Sequence, residues 1–370
     1  MRLGDSKERL LVCTIYLLKH ADTQCDKMLD DIRQLEKLDS SDMLNTLSEF
    51  PEQIEEVLDS LKLNLLPFKP DNIVVTGMGG SGIVGDILQS FLANRIGMPI
   101  YVNKDYTLPS FVGENTLLFV VSYSGNTEET LNAAKIGIKK GAKLVAISSN
   151  GELEELCREK GMVFIEAPKG YHPRAAIAFM FIPVLKLLSE MLIYDSDVAI
   201  IDTLAVLKEL RDGIKTEVPV EENIAKQIAQ RIHGKISVIY GHSIYNAVAN
   251  RWHTQINENA EVLSWFGSIP EMNHNEIVGW SGDENVSMFL PILLRDDKEE
   301  ESIEKRIEIT KELAFKDTDD IVEVYAQGDT QLARILYLIY MGDYVSIYLA
   351  MLYGRDPSPV EVIDRLKERL

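Results

Sequence analysis

The segment Asn72-Ile-Val-Val-Thr-Gly-Met-Gly-Gly-Ser-Gly82 joins a short apolar run, rich in β-branched residues, to a cluster of glycines. Such a run predicts a buried strand, and the glycines predict a tight turn that leads into a helix. The free N–H groups at the start of a helix attract anions, and glycine lets a ligand approach the backbone closely. The segment therefore predicts a strand–loop–helix unit with a phosphate-binding turn that includes Gly80 and Ser81.

Strand-like runs recur along both halves of the chain, at intervals long enough for helices. In the first half they are Asn72–Thr76, Pro99–Val102, Thr116–Val121, Lys143–Ile147 and Met162–Ile165, and in the second half Lys235–Gly241, Val286–Leu290 and Ile321–Tyr325. Alternation of strands and helices is typical of α/β folds with a doubly wound sheet. We therefore predict an α/β protein with two domains, each a doubly wound, mostly parallel sheet flanked by helices.

The length of the chain also favours two domains, because 370 residues exceed what one hydrophobic core usually supports. A helical stretch from Asp195 to about Arg231 separates the two sets of strands. We divide the chain into an N-terminal extension (1–27), a first domain (28–194), an inter-domain connection (195–217), a second domain (218–354) and a C-terminal segment (355–370).

A faint internal repeat relates the two domains, since Lys235–Gly241 resembles Asn72–Thr76 and also leads into a helix. The residues after the two strands differ. His242, Ser243 and Tyr245 follow the second strand, whereas glycines follow the first. We therefore predict that only the first domain places accessible main-chain N–H groups next to a phosphate.

The composition is that of a globular protein with a strongly acidic balance. There are 58 acidic and 38 basic residues, for a formal net charge of −20. This charge would repel a nucleic acid, and an anionic ligand must be held by local groups. The apolar run Leu10–Leu18 is too short to cross a bilayer. Three scattered cysteines indicate free thiols in a reducing compartment. We expect a cytoplasmic protein with no nucleic-acid or membrane partner.

The turn Gly77–Gly82 also satisfies the pattern G-x-G-x-x-G of dinucleotide-binding folds. A nicotinamide site would require an acidic residue at the end of the next strand, where it binds the ribose. That strand ends Tyr101-Val102-Asn103-Lys104 instead. We therefore expect no cofactor. A tight glycine turn without a ligand is the other alternative, since glycines often interrupt α/β loops.

A second loop, Ser122-Tyr-Ser-Gly-Asn-Thr-Glu-Glu-Thr130, follows the strand Thr116–Val121 and precedes another helix. The hydroxyls of Ser122, Ser124 and Thr127 can each donate a hydrogen bond to a phosphate oxygen. Thr127 or the neighbouring Asn126 also suits the N-cap of the helix. A cluster of hydroxyls beside a helix N-terminus explains how an acidic protein could bind a phosphomonoester.

The two loops together resemble the signature of the sugar-isomerase (SIS) domain. More specifically, the chain from about Met28 to Leu370 resembles the bifunctional phosphoglucose/phosphomannose isomerases of archaea and some bacteria. This resemblance implies two SIS-type domains and an aldose–ketose isomerase without a metal. Its substrates would be fructose 6-phosphate, glucose 6-phosphate and mannose 6-phosphate, which it would interconvert through a cis-enediolate.

Such a reaction needs a base, a proton shuttle at the ring oxygen and a fixed cation beside the enediolate. By the resemblance, Glu258 is the base and Arg174 is the stabilising cation. His274 matches the ring-opening histidine, which the family supplies to the neighbouring subunit's site, so a homodimer is implied. From the residues alone, each could equally be an ordinary solvated or surface side chain.

The C-terminal segment resembles the part of the family's fold that closes over the active site. Lys367 is the candidate second ring-opening group, although a lysine at the end of an exposed helix is the plain alternative. Ser358 matches a small hydroxyl residue of the family. Its short side chain would leave room for the C2 hydroxyl in either orientation, which bears on the acceptance of both epimers.

A metal site is not expected, because the histidines and cysteines show no ligand spacing such as H-E-x-x-H. The principal rival hypothesis is a sugar-phosphate sensor, because SIS domains also occur as regulators without chemistry. A regulator would be expected to carry a DNA-binding domain. The first 66 residues show neither basic character nor a helix-turn-helix pattern.

Overall fold

A computed structural model describes residues 28–62 and 68–369. The predicted N-terminal extension lies outside the described residues. The first sheet contains β1 (Asn72–Thr76), β2 (Ile100–Asn103), β3 (Thr116–Val121), β4 (Lys143–Ser148) and β5 (Val163–Glu166), in the order β2-β1-β3-β4-β5. The second contains β6 (Ile236–His242), β7 (Ser264–Ile269), β8 (Phe289–Asp296) and β9 (Val322–Ala326), in the order β7-β6-β8-β9. All pairs are parallel, which confirms the predicted α/β fold with two parallel sheets.

Helices surround both sheets. They are α1 (Ile32–Leu38), α2 (Met43–Ser48), α3 (Phe50–Ser60), α4 (Gly79–Leu92), α5 (Glu128–Lys139), α6 (Glu152–Lys160), α7 (Ile177–Glu190), α8 (Asp197–Ile214), α9 (Ile224–Ile232), α10 (Asn246–Asn259), α11 (Glu276–Gly282), α12 (Glu301–Leu313), α13 (Gln331–Leu352) and α14 (Glu361–Lys367). The predicted helical stretch from Asp195 to Arg231 is two helices, α8 and α9. The two are separated by residues 215–223, where Pro219 precedes a short 3₁₀ turn.

Two expectations about the second sheet are wrong. The sequence pattern does not reveal strand β7, because Trp265 and Phe266 are consecutive and both exposed, so the strand shows neither alternation nor a continuous buried run. It lies at the edge of the sheet, where burial on both faces is not required. The predicted strand Val286–Leu290 begins too early, because Val286–Met288 is a 3₁₀ turn and the strand starts at Phe289.

Helix α13 forms the centre of the second domain. It packs against α8, α9 and α10, and α10 in turn packs against α4 of the first domain, so a continuous apolar core includes residues of both domains. Within the described residues, α13 is long and apolar enough to cross a membrane, but every residue of it except Gln331 is buried inside the fold. It is therefore packed as a core helix.

In each sheet, the connections from two neighbouring strands run in opposite directions at one point. This point lies between β1 and β3 in the first sheet and between β6 and β8 in the second. Ligands of open α/β sheets bind at the carboxyl ends of the strands at such a place. In the second sheet, buried ion pairs fill this crevice. Arg295 pairs with Glu299, Nε2 of His242 lies 3.2 Å from the Glu299 carboxylate, and Nε of Arg334 lies 2.8 Å from Asp296. In the first sheet, the crevice is bordered by the two loops described next.

Candidate active site

The two predicted phosphate loops meet at the carboxyl ends of β1 and β3. A Cβ on Gly77 would lie 2.7 Å from the carbonyl oxygen of Val121, so only glycine permits the loops to pack this closely. Ser81 joins them, because its Oγ accepts a hydrogen bond from the Tyr123 N–H at 3.1 Å. The Ser81 hydroxyl is buried and also lies 3.4 Å from the sulfur of Met180. Its role as a phosphate ligand remains a prediction.

The hydroxyls of the second loop cluster at the start of α5. Oγ of Ser122 and Oγ1 of Thr127 lie 3.0 Å apart, and Ser124 is exposed beside them. Thr127 occupies the N-cap position, but its side chain makes no capping hydrogen bond. Asn126 caps a different helix, since its Oδ1 accepts from the Glu152 N–H at 2.9 Å. The first turn of α5 therefore keeps N–H groups without intrahelical partners, beside a pair of hydroxyls.

Arg174 lies directly against the glycine loop. It is in a 3₁₀ turn, Pro173–Ala175, and a Cβ on Gly80 would lie 3.1 Å from the Arg174 Cα. The guanidinium is buried, with 3% of the residue exposed. Nε donates to Oδ1 of Asn259 at 2.6 Å, and Nη2 donates to the carbonyls of Pro357 and, at 2.7 Å, Ser358.

Glu258 supplies a carboxylate next to this cation. It is half-buried in the last turn of α10, and its charge opposes the effect of burial, which lowers the pKa of Arg174. In the described part of the chain, the Glu258 side chain forms no hydrogen bond and no ion pair. The amides on either side are engaged, because Asn259 binds Arg174 and Oδ1 of Asn257 accepts from the Ser264 N–H at 3.2 Å. The helix end is thus fixed while the carboxylate stays available.

The start of the C-terminal segment completes this group. Ser358 is buried, and its N–H donates to Oδ1 of Asp356 at 2.9 Å while its carbonyl binds Arg174. Helix α14, by contrast, is exposed along its whole length and has no buried residue. The Lys367 side chain makes no hydrogen bond or ion pair with the described residues. The structure therefore brings Ser358, but not Lys367, to Arg174.

His274 does not join Glu258 within one chain. It is exposed in a 3₁₀ turn, Glu271–His274, that follows the carboxyl end of β7, whereas Glu258 lies at the end of α10, just before β7 begins. The two residues flank opposite ends of β7. The six residues of this strand span about 20 Å.

Asn259 is a site residue that sequence reasoning missed. Its amide accepts from Arg174 and donates from Nδ2 to Ser346 at 2.9 Å. The available signal was its position beside Glu258 at a helix end. Across residues 28–62 and 68–369, no three His, Cys, Asp or Glu side chains form a group that could hold a metal ion.

Both halves of the chain match known families. Residues 68–184 match the SIS domain, and residues 221–370 match the bacterial phospho-glucose isomerase C-terminal SIS domain. A glucose-6-phosphate isomerase like protein from Thermus thermophilus has a similar fold, with a TM-score of 0.64 at 21% identity, covering 92% of this chain and 99% of that one. The fold and the two loops thus define a protein with two SIS domains.

Closer relatives identify the family. The chain is 40% identical over 334 residues to the bifunctional phosphoglucose/phosphomannose isomerase of Caldicellulosiruptor bescii, covering 89% of this chain and 98% of the relative. It is 40% identical over 313 residues to that of Aquifex aeolicus, covering 84% and 93%. The chain belongs to the bifunctional phosphoglucose/phosphomannose isomerase family, which confirms the resemblance found in its sequence.

Proposed function

We propose that the protein interconverts fructose 6-phosphate with glucose 6-phosphate and mannose 6-phosphate through a cis-enediolate, without a metal. The observation that carries this proposal is the buried Arg174, held between the glycine loop and the helix end that bears Glu258. A fixed cation beside an unpaired carboxylate suits a reaction in which negative charge develops during proton transfer. We place the enzyme in the cytoplasm, where the buried free thiol of Cys157 stays reduced.

The phosphate binds at the two loops, through N–H groups of the helix starts and the hydroxyls of Ser122, Ser124 and Thr127. Neutral donors and helix dipoles suffice for a phosphomonoester. Because Arg174 contacts the same glycine loop, a sugar anchored there extends its C1 and C2 carbons toward the guanidinium and Glu258.

Glu258 then moves the proton. Its carboxylate removes a proton from C1 of the open-chain ketose, which generates the enediolate; the hydroxyl proton of O1 passes to O2, and the resulting carboxylic acid returns a proton to C2 as C1 becomes the aldehyde carbon. The guanidinium of Arg174 donates hydrogen bonds to the enediolate oxygens and stabilises their negative charge. Although burial lowers its pKa, an arginine stays protonated at neutral pH.

Ring opening requires a second group, and we assign it to His274 of the partner subunit in a homodimer. The position of His274 and Glu258 at opposite ends of β7, a strand about 20 Å long, supports this assignment. An imidazole can both accept and donate a proton, so this side chain can carry one to the ring oxygen. Lys367 is retained as the candidate second ring-opening group.

Ser358 is proposed to set the substrate range. Its carbonyl binds Arg174 and its side chain is small, so the C2 hydroxyl of either epimer can be accommodated beside it. Both epimers form if the open-chain intermediate rotates about C2–C3, so that either face of C2 meets Glu258.

The direct test is incubation of the chelator-treated protein with fructose 6-phosphate in D2O, followed by NMR. We expect both aldose phosphates, with deuterium at C2, because the enediolate is reprotonated from a carboxyl that exchanges with solvent. Binding of fructose 6-phosphate without turnover would favour the sensor hypothesis. Loss of turnover on chelation, restored by a metal ion, would contradict the metal-free mechanism.

The phosphate loops can be tested separately. Ser124→Ala and Thr127→Val should each raise the Kd of fructose 6-phosphate and of inorganic phosphate by about tenfold to a hundredfold, since each removes a hydrogen bond to a charged group, worth about 1.5–3 kcal/mol. The measurement is isothermal titration calorimetry. Ser110→Ala is the matched control. Ser110 is exposed in the loop that leads into the start of β3, whereas the phosphate loops follow the ends of β1 and β3. Unchanged phosphate affinity in both loop variants would show that the phosphate binds elsewhere.

A further inference from the structure

We propose that Asp343, through Arg251, and Ser346, through Asn259, are two positioning residues for Arg174; this inference rests on the proposed function, because it assumes that Arg174 stabilises the enediolate. Asp343 lies in the middle of α13, a largely apolar helix of 22 residues, and is 2% exposed. A buried carboxylate costs free energy unless it is paired and hydrogen-bonded. Its carboxylate is paired with Arg251, which also contacts Arg174.

One route runs to the backbone of Arg174. Oδ1 of Asp343 accepts from Nε of Arg251 at 3.0 Å and from Nε2 of Gln255 at 3.0 Å, while Oδ2 accepts from Nη2 of Arg251 at 2.7 Å. This two-point contact fixes the plane of the Arg251 guanidinium. The same Nη2 donates to the carbonyl oxygen of Arg174 at 2.8 Å. Asp343 thereby holds the main chain of the 3₁₀ turn that carries Arg174.

The second route runs to the guanidinium of Arg174. Ser346 donates its hydroxyl proton to the main-chain carbonyl oxygen of Asp343 at 2.7 Å, and its oxygen accepts from Nδ2 of Asn259 at 2.9 Å. Oδ1 of Asn259 accepts from Nε of Arg174 at 2.6 Å. Because the carbonyl oxygen can only accept, the Ser346 hydroxyl must donate its proton to it, and the Ser346 oxygen is then free to accept from the Asn259 amide. The Asn259 amide is therefore oriented with its oxygen toward Arg174.

Together, the two routes fix both the main chain and the guanidinium of Arg174. Nε and Nη2 of Arg174 are used by protein acceptors, and in the described part of the chain Nη1 makes no hydrogen bond. Nη1 is thus the group left to meet a ligand oxygen beside Glu258. A catalytic group held within about half an ångström of its productive position loses much of its effect when its supports are removed.

The test compares Asp343→Asn and Ser346→Ala with Thr203→Val. Thr203 is a matched control, because its buried hydroxyl on α8 donates to the Ala199 carbonyl and has no link to Arg174. We expect kcat to fall about 100-fold in Asp343→Asn and about tenfold in Ser346→Ala, with KM within about threefold of the parent value, because transition-state stabilisation is lost rather than substrate binding. Thr203→Val should behave as the parent.

A second readout separates positioning from general damage. A hydroxamate analogue of the enediolate should bind each variant more weakly by the same factor as kcat falls, while inorganic phosphate binds unchanged. If Asp343→Asn does not fold, Arg251→Lys tests the same route, because it keeps the charge but removes the Nη2 hydrogen bond to the Arg174 carbonyl. Parental kcat in a folded variant of either route, or a parallel loss of phosphate affinity in it, overturns the positioning role of that route. A parent protein that neither isomerises fructose 6-phosphate nor binds the analogue would instead refute the proposed function.

Discussion

Replacing Glu258 by glutamine is expected to lower kcat for fructose 6-phosphate by about 10³-fold, within the range observed for removal of a general base. The amide has the size and shape of the carboxylate but cannot accept the proton from C1. Substrate affinity should persist, because the phosphate loops belong to the other domain. The measurement is a coupled assay of glucose 6-phosphate formation, together with deuterium exchange at C1.

Glu190→Gln is the control for this variant, because Glu190 is an exposed glutamate that also ends a helix, α7, far from the phosphate loops. It should retain the parental rate. A Glu258→Gln protein that keeps more than about a tenth of the parental kcat would show that another group acts as the base.

Mixing Glu258→Gln with His274→Ala is expected to restore activity, although each variant alone is nearly inactive on closed-ring substrate. A site that combines Glu258 of one chain with His274 of the other is intact in one half of each mixed dimer. Random exchange of subunits makes half of the dimers mixed, so about a quarter of the parental activity should return. The variants are unfolded and refolded together, and native mass spectrometry measures the mixed fraction.

A second mixture provides the control. Arg174 and Glu258 lie close together within one chain, since the charge of Glu258 acts on Arg174 and the neighbouring Asn259 binds its guanidinium. Mixed dimers of Arg174→Gln and Glu258→Gln therefore carry one lesion at each site and should stay inactive. If both mixtures remain inactive while mixed dimers are present, His274 serves its own chain or has no catalytic role.

The first sheet could be predicted from the sequence almost residue by residue. Its strands are β-branched runs buried on both faces, and the observed bounds differ from the predicted ones by at most one residue. Edge strand β7 could not be found in this way. Its residues need only one buried face, and the adjacent exposed aromatics Trp265 and Phe266 produce no periodic pattern.

In the candidate site, too, some features could be predicted from a short segment of sequence, whereas others depend on residues that are far apart in the chain. Each phosphate loop is a short continuous segment whose glycines and hydroxyls already indicate its chemistry. The residues that hold Arg174 are different. Asn259, and Asp343 through Arg251, come near Arg174 only when α10 and α13 pack together. An aspartate within an apolar helix signals a buried partner, but the sequence does not say which. The distance between Glu258 and His274 likewise follows only from the direction of β7.

The hydrogen bonds from Arg174 to Pro357 and Ser358 join residues 183 and 184 positions apart. During synthesis on the ribosome, the first domain emerges long before these carbonyls exist, and domains generally fold as they emerge. A nascent chain can therefore form its phosphate loops while the guanidinium of Arg174 still lacks the acceptors that fix it. By the proposed mechanism, the catalytic arrangement forms only when nearly the whole chain has left the exit tunnel, so we expect a nascent chain to bind ligand before it can turn it over.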